Sequence, residues 1–317
     1  MWIEDGLMDP QERMGYRLRA LYDTNGYNRY RMSKFEEYDL YSGNRDFLLS
    51  DNVITFTDTN GRLMALKPDV TLSIVKNMKD AGQEIRKLYY YEHVYRAADE
   101  AEGFREQTQV GLECMGQIDA SCISEVLSLA AQSLQLCSDR YVLEISHLGI
   151  LKAVTDELSG GNTTVKTNLL HCVSEKNMHG ISDICREAGI EAGREETLKR
   201  LIGLYGSPET VIQGLYAFPE NARLKEMICS LEGAVSGLRH ADDQTNRHII
   251  IDFSATEDLR YYNGIAFKGF IEGIPASVLS GGQYDGLMKR MGRKDQAIGF
   301  AVFLNMLERL REGGNDA

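Results

Sequence analysis

The sequence is poor in the residues that hold metals or form disulfide bonds. Its 6 histidines and 6 cysteines are dispersed over 317 residues, and no two cysteines have the CxxC spacing of a zinc or redox motif. Most cysteines lie among apolar neighbours, which is typical of reduced thiols in the core of a cytoplasmic protein. We therefore expect no metal site and no cofactor.

Long apolar runs are also missing. No run approaches the ~20 residues that a helix needs to span a bilayer. The N-terminal stretch MWIEDGLMDPQERM is acidic and lacks the basic segment and apolar core of a signal peptide. These absences predict a cytoplasmic protein with no membrane partner.

Positive charge is scarce. The chain has 35 lysines and arginines against 47 acids, which gives a formal net charge of −12. Nucleic-acid-binding proteins need a basic surface to displace counterions from phosphates. The composition therefore disfavours a large nucleic-acid interface, although it leaves a local basic patch open. Small molecules and other proteins are the expected partners.

The pattern of helices and strands divides the chain into three parts. Asp9, Pro10 and Glu12 form the start signal of a first helix, and NVITFTDTNGRLMAL is a hairpin with Asn-Gly at its turn. Helical periodicity dominates the middle of the chain. We predict that residues 1–150 and 247–317 form one α+β domain with a mostly antiparallel sheet flanked by helices. Residues 151–246 are predicted to form a helical insertion.

Polar side chains alternate along a strand in the stretch HVYRAADEAEGFREQTQVGLECMGQID. The alternation places Arg105, Gln107, Gln109, Gly111 and Glu113 on one face. Such a face is either solvated or the floor of a binding pocket, and the alternation alone fits both interpretations.

Two further stretches also have two interpretations each. In LKPDVT, Asp69 and Thr71 lie where a strand passes into a helix, so they either cap the helix or present a carboxylate to a ligand ammonium. The adjacent Gly281 and Gly282 either allow a ligand to approach the backbone closely or mark a hairpin turn.

Five stretches, in this order, resemble motifs of one family. They are TDTNGRLMALKPDVT, VYRAADEAEGFREQTQVGLECMG, DLRYYNGIAF, SGGQYDGL and AIGFAVFLNML. Over residues 9–148 and 247–317 the chain resembles the core of class II aminoacyl-tRNA synthetases, and histidyl-tRNA synthetase in particular. The resemblance implies the class II fold. Because the chain ends shortly after the last motif, we expect no anticodon-binding domain.

The resemblance also implies a pocket for free histidine. Carboxylates in it would meet the α-ammonium and an imidazole N–H, and an arginine would meet the ligand carboxylate. Asp69 is one methylene shorter than the glutamate usual in the family. The histidine-binding residues implied are Asp69, Thr71, Arg96, Gln109, Glu113, Tyr262 and Tyr284.

The residues that activate ATP are replaced. By the resemblance, the motif 2 glutamate falls on Ala98, a catalytic arginine on Glu257 and the motif 3 arginine on Met306, while residues 99–102 read Asp-Glu-Ala-Glu. Adenylyl transfer depends on positive charge around the triphosphate. The resemblance therefore implies a chain with no catalytic residues for adenylation.

A synthetase-like core of this kind resembles the regulatory subunits of ATP phosphoribosyltransferase. That family implies a non-catalytic partner of the short-form catalytic subunit, acting at the first step of histidine biosynthesis. It also implies a hetero-oligomer containing a homodimer, with L-histidine as effector and no tRNA. One alternative is a histidine-activating enzyme of the same fold, either a truncated histidyl-tRNA synthetase or an amino-acid ligase. Another is a module that senses histidine or uncharged tRNA for a different partner.

Overall fold

The chain forms two compact units in a computed structural model, which describes residues 8–48, 52–80, 82, 84–97, 103–218, 221–239 and 247–307. Unit 1 comprises Met1–Ile118, Leu129–Tyr141 and Gly269–Ala317, and unit 2 comprises Asp119–Ser128 and Val142–Lys268. Unit 2 is larger than the predicted insertion, because it includes strands on either side of it. The boundaries 151–246 stay a prediction.

The strands, numbered in chain order, are short at the beginning of the chain and long around the polar stretch. They are β1 Asn28–Arg29, β2 Phe35–Glu37, β3 Thr55–Thr57, β4 Leu63–Leu66, β5 Arg86–Ala97, β6 Phe104–Gly116, β7 Tyr141–His147, β8 Tyr205–Gly206, β9 Ile249–Asp252, β10 Ile265–Ile271, β11 Leu279–Gln283 and β12 Gln296–Phe303.

The helices of the described residues are numbered in the same way. They are α1 Pro10–Thr24, α2 Asp39–Ser42, α3 Val70–Asn77, α4 Ala120–Cys137, α5 Leu148–Ser159, α6 Thr163–Ser174, α7 Met178–Glu187, α8 Ala192–Gly203, α9 Pro208–Tyr216, α10 Ala222–Arg239, α11 Asp285–Arg290 and α12 Leu304–Leu307. Among these residues, no helix has both the length and the apolar character that crossing a membrane requires.

The sheet of unit 1 is mostly antiparallel, as predicted. Its strands follow the order β1-β5-β6-β12-β11, and β5, β6, β12 and β11 are antiparallel neighbours. The short β1 joins β5 in parallel. A second sheet, β2-β4-β3, contains the predicted hairpin. The central strands β6 and β12 are therefore paired on both sides, and their side chains are buried except at the beginning of β6 and at single positions of β12.

Helix α1 packs on the β5 side of this sheet. Its predicted start is confirmed: the Asp9 carboxylate accepts from the Glu12 N–H at 2.8 Å and Glu12 returns a bond to the Asp9 N–H. The Tyr91 ring packs directly on the helix at Gly15. Only a glycine allows this contact, because a Cβ at this position would overlap the ring. Tyr22 is fully buried, and its hydroxyl bonds the Ser133 hydroxyl at 2.9 Å.

Unit 2 is mainly helical. Helices α5 to α10 follow one another from Leu148 to Arg239, which confirms the predicted helical character of the described residues in the middle of the chain. Its strands follow the order β7-β9-β8, with β7 and β9 parallel and β8 antiparallel to β9. His147 caps α5, because its Nδ1 accepts from the Ile150 N–H at 3.3 Å.

Candidate functional site

The centre of unit 1 contains a buried carboxyl group, that of Glu113 on β6, which is 2% exposed. The Thr71 hydroxyl donates to Oε1 at 2.7 Å, and the Tyr284 hydroxyl donates to Oε2 at 2.6 Å. Burial raises the pKa of Glu113 to about 8, the two hydroxyls oppose this rise, and the Asp69 charge adds to it. A cation placed beside this carboxyl would favour its ionised form.

Space for the Glu113 carboxyl is made by a glycine on the neighbouring strand. Gly299 of β12 is the register partner of Glu113, and a Cβ at Gly299 would overlap Oε2 of the glutamate. Sequence reasoning did not single out Gly299. The signal that could have identified it is the glycine in the apolar stretch AIGFA. The pairing of this glycine with Glu113 became visible only in the structure.

Gln109 lies on the same face of β6 as Glu113. It is 3% exposed, and its side-chain Nε2 is buried without a hydrogen-bond partner. A buried donor that lacks an acceptor costs about 1–3 kcal/mol, so this amide is ready to donate to a ligand oxygen or nitrogen. The solvated interpretation of the polar face is wrong at Gln109 and Glu113, whereas Arg105 at the outer end of the strand is exposed.

Asp69 caps helix α3. Its carboxylate accepts from the Leu72 N–H at 2.8 Å, and the side chain is largely buried. Burial raises the pKa of Asp69, while bonds to backbone N–H groups and the Arg96 charge act in the opposite direction. The capping interpretation is therefore confirmed. The cap fixes the start of α3, where Thr71 reaches Glu113, and a ligand-binding role for Asp69 stays a prediction.

Arg96 supports the same turn from β5. Its Nε donates to the Pro68 carbonyl oxygen at 2.9 Å, one residue before Asp69, and NH1 lies 3.5 Å from the Gln107 side-chain oxygen. The guanidinium is half-buried. These hydrogen bonds hold the Arg96 guanidinium close enough to Asp69 that its positive charge lowers the pKa of that carboxyl.

The two predicted tyrosines belong to different units. Tyr284 follows β11, is 1% exposed and contacts Glu113. Tyr262 belongs to unit 2 and is half-buried, and its ring centroid lies 4.8 Å from that of Tyr261. The structure thus joins Thr71, Glu113 and Tyr284 directly, and the place of Tyr262 in the pocket stays a prediction. Gly281 and Gly282 are paired within β11, so they do not form a turn.

The positions where the resemblance implies lost synthetase groups are described in part. Met306 is a half-buried residue of the short helix α12. Glu257 begins the 3-10 helix Glu257–Arg260. Ala98 and the acidic loop 99–102 lie outside the described residues.

The mostly antiparallel sheet with its flanking helices is the fold of a class II aminoacyl-tRNA synthetase core. The family model described as histidyl-tRNA synthetase matches residues 8–307. The chain therefore belongs to the histidyl-tRNA synthetase family.

Similar proteins point to one branch of this family. The chain is 29% identical over 288 residues to the ATP phosphoribosyltransferase regulatory subunit of Oceanobacillus iheyensis, covering 90% of this chain and 70% of the relative. Its fold resembles that of an ATP phosphoribosyltransferase regulatory subunit/histidyl-tRNA synthetase from Bacillus halodurans, with TM-score 0.81, 21% identity and 98% and 84% of the two chains covered. It also resembles a chain of the ATP phosphoribosyl transferase (HisG:HisZ) complex from Thermotoga maritima, with TM-score 0.71, 17% identity and 94% and 98% covered.

Proposed function

We propose that this chain is a non-catalytic regulatory subunit of ATP phosphoribosyltransferase, which activates a short-form catalytic subunit and confers inhibition by histidine. The observation that carries the proposal is the Glu113 cluster. A buried carboxyl with two hydroxyl partners and a nearby unsatisfied amide at Gln109 suits an amino acid. The motif 3 position for an ATP-binding arginine holds Met306.

The chemistry of the cluster fits histidine as the effector. Its ammonium or imidazole N–H would donate to Glu113, and an acceptor atom of the ligand would satisfy Gln109 Nε2. The positive charge would lower the pKa of Glu113, so binding of the cation is coupled to release of a proton from the carboxyl. Any effect on the catalytic subunit is limited by the difference in histidine affinity between active and inhibited states.

Met306 argues against adenylation for an electrostatic reason. A guanidinium about 4 Å from a phosphate oxygen is worth roughly 4 kcal/mol at an effective dielectric constant near 20, and methionine supplies none of it. Glu257, at the implied position of a second arginine, would add repulsion. Both replacements support a binding subunit over a histidine-activating enzyme.

The decisive experiment is co-expression with a short-form catalytic subunit, followed by assay of phosphoribosyl transfer with and without histidine. We expect activity to rise when this chain is present and to fall when histidine is added. Unchanged activity in both comparisons would refute the proposal. Histidine-dependent exchange of pyrophosphate into ATP by the purified chain would favour the enzyme alternative instead.

The site is tested separately from the assembly. Glu113→Ala and Gln109→Ala should weaken inhibition by histidine while the complex still forms, as measured by size-exclusion chromatography. Gln132→Ala is the matched control, because Gln132 is an exposed glutamine of α4. If histidine inhibits the complexes of all three variants as strongly as it inhibits the parent complex, the effector site lies elsewhere.

A further inference from the structure

A buried ion pair lies on strand β5, beside the strand that carries Glu113. The Lys67 ammonium donates to Oε2 of Glu92 at 2.7 Å. The Lys67 side chain is fully buried, whereas 15% of the Glu92 side chain is exposed. An ion pair that is taken out of water contributes little net stability, because desolvation of the two charges opposes their attraction. What this pair does provide is a carboxylate held at a fixed place on the sheet.

Strand pairing places this carboxylate next to Gln109. Glu92 and Gln109 are register partners on β5 and β6, so their side chains leave the sheet on the same face, with Cβ atoms about 5 Å apart. Gln109 and Glu113 also share a face, because an even number of positions separates them along β6. Glu92, Gln109 and Glu113 thus belong to one surface of unit 1.

The two neighbours have complementary hydrogen-bonding groups that are not used. Oε2 of Glu92 is bonded to Lys67, but Oε1 accepts no hydrogen bond from the residues that the structure describes. Nε2 of Gln109 is buried and donates to none of these residues, Glu92 included. An acceptor and a donor therefore lie side by side. A ligand that carries both a donor and an acceptor would satisfy the two together.

The zwitterionic end of an α-amino acid is such a ligand. Its ammonium is a donor for Glu92 and its carboxylate is an acceptor for Gln109, and both groups are attached to one carbon atom. Lys67 balances the charge of Glu92. A ligand end with one charge of each sign preserves that balance, whereas a simple cation or anion would disturb it.

The distance along β6 fits the side chain of histidine. Gln109 and Glu113 are four positions apart, which corresponds to about 13 Å along a strand. An extended histidine molecule with a hydrogen bond at each end covers a similar distance. An amino acid held at Gln109 therefore directs its side chain towards Glu113, whose carboxyl can accept from the imidazole N–H.

We propose that Glu92 is a specificity-determining residue of the effector pocket, whose Oε1 accepts a hydrogen bond from the α-ammonium of histidine. Gln109 then donates to the α-carboxylate, and Glu113 accepts from the imidazole. Lys67 is a positioning residue, because it holds the Glu92 carboxylate without touching the ligand. This inference rests on the proposed function, and it adds a residue that the sequence resemblance does not imply.

The test is calorimetric titration of the full chain with L-histidine and with 3-(imidazol-4-yl)propionate, which is histidine without its amino group. We expect Glu92→Gln to weaken binding of L-histidine by about tenfold or more, the effect of losing one hydrogen bond to a charged group. The propionate should bind the parent and this variant equally. Glu113→Ala should weaken binding of both ligands, because both carry the imidazole.

A second variant separates binding from folding, because Glu92→Gln leaves the buried Lys67 ammonium with an uncharged partner. Lys67→Met/Glu92→Met removes both charges, so that no buried charge is left unpaired, and it should weaken L-histidine to a similar extent. Glu37→Gln is the matched control. Glu37 is an exposed carboxylate of unit 1 that pairs with Arg62 at 2.9 Å, and its replacement should leave both titrations unchanged.

The outcomes distinguish this inference from the function on which it rests. If L-histidine does not bind the parent chain, histidine is not the effector and the proposed function is wrong. If L-histidine binds the parent and both Glu92 variants equally well, only the role of Glu92 is refuted. The same conclusion holds if the Glu92 variants weaken L-histidine and the propionate to the same extent, because the loss then does not involve the ammonium.

Discussion

Gly299 and Glu113 face each other on neighbouring strands, and the glycine leaves the space that the glutamate carboxyl fills. This relationship joins two motifs that are far apart in the sequence. It explains why the acidic residue can be buried with both oxygens bonded. The small residue on β12 is thus part of the site although it contributes no polar atom.

The first prediction concerns this space. Gly299→Ala should destabilise the protein by about 1–3 kcal/mol, because the added methyl group forces the carboxyl or a strand to move. Urea unfolding measures the change. Gly286→Ala is the matched control: it lies in α11 with no atom within 4 Å of the added Cβ, so it should be neutral or slightly stabilising. Equal effects of the two substitutions would contradict the packing argument.

The second prediction follows from the pKa of Glu113, which rises from 4.5 to about 8 on folding. Between these values the folded chain binds more protons than the unfolded chain. The contribution of this group to stability is therefore complete below about pH 4.5 and is lost as the pH rises to about 8. Glu113→Gln should remove a slope of at most about 1.4 kcal/mol per pH unit. Parallel stability profiles of parent and variant over this range would rule the prediction out.

The third prediction has the opposite sign and concerns unit 2. Burial lowers the pKa of His147 from 6.5 to about 4. Its contribution to stability is therefore present above about pH 6.5 and is lost as the pH falls towards 4, since the unfolded chain binds the additional proton. His147→Asn retains a capping side chain and should reduce this loss in acid. Melting temperatures of parent and variant at several pH values measure the difference. Identical slopes would show that folding does not lower the pKa of His147.

The fourth prediction separates the two roles of Asp69. Asp69→Asn keeps an oxygen for the cap of α3 but removes the charge, whereas Asp69→Ala removes both and should cost about 0.5–2 kcal/mol. If the Asp69 carboxylate binds the ammonium group of the effector, Asp69→Asn should weaken histidine binding, as measured by calorimetry. The free energy of unfolding should stay close to that of the parent. Histidine binding unaffected by Asn would leave Asp69 with the capping role alone.

The sequence predicted the elements whose signals are local. The cap at Asp9, the Asn-Gly hairpin and the strand β6 depend on neighbouring residues, and each is found in the structure. The burial of β6 does not alternate, because neighbouring layers cover both of its faces from Thr108 onward. The two interpretations of Asp69 could not be separated, because capping and ligand binding require the same oxygen at the same position. The bond from Tyr284 to Glu113 joins residues 171 positions apart, so only the family resemblance pointed to it.

The two oxygens of Glu113 fasten separate segments to one point: Thr71 at the beginning of α3 and Tyr284 at the beginning of α11. An ionised carboxylate has about four acceptor positions, so a ligand N–H can bond to Glu113 while both hydroxyls stay in place. A single bound amino acid would then be linked through one side chain to two segments that are far apart in the sequence.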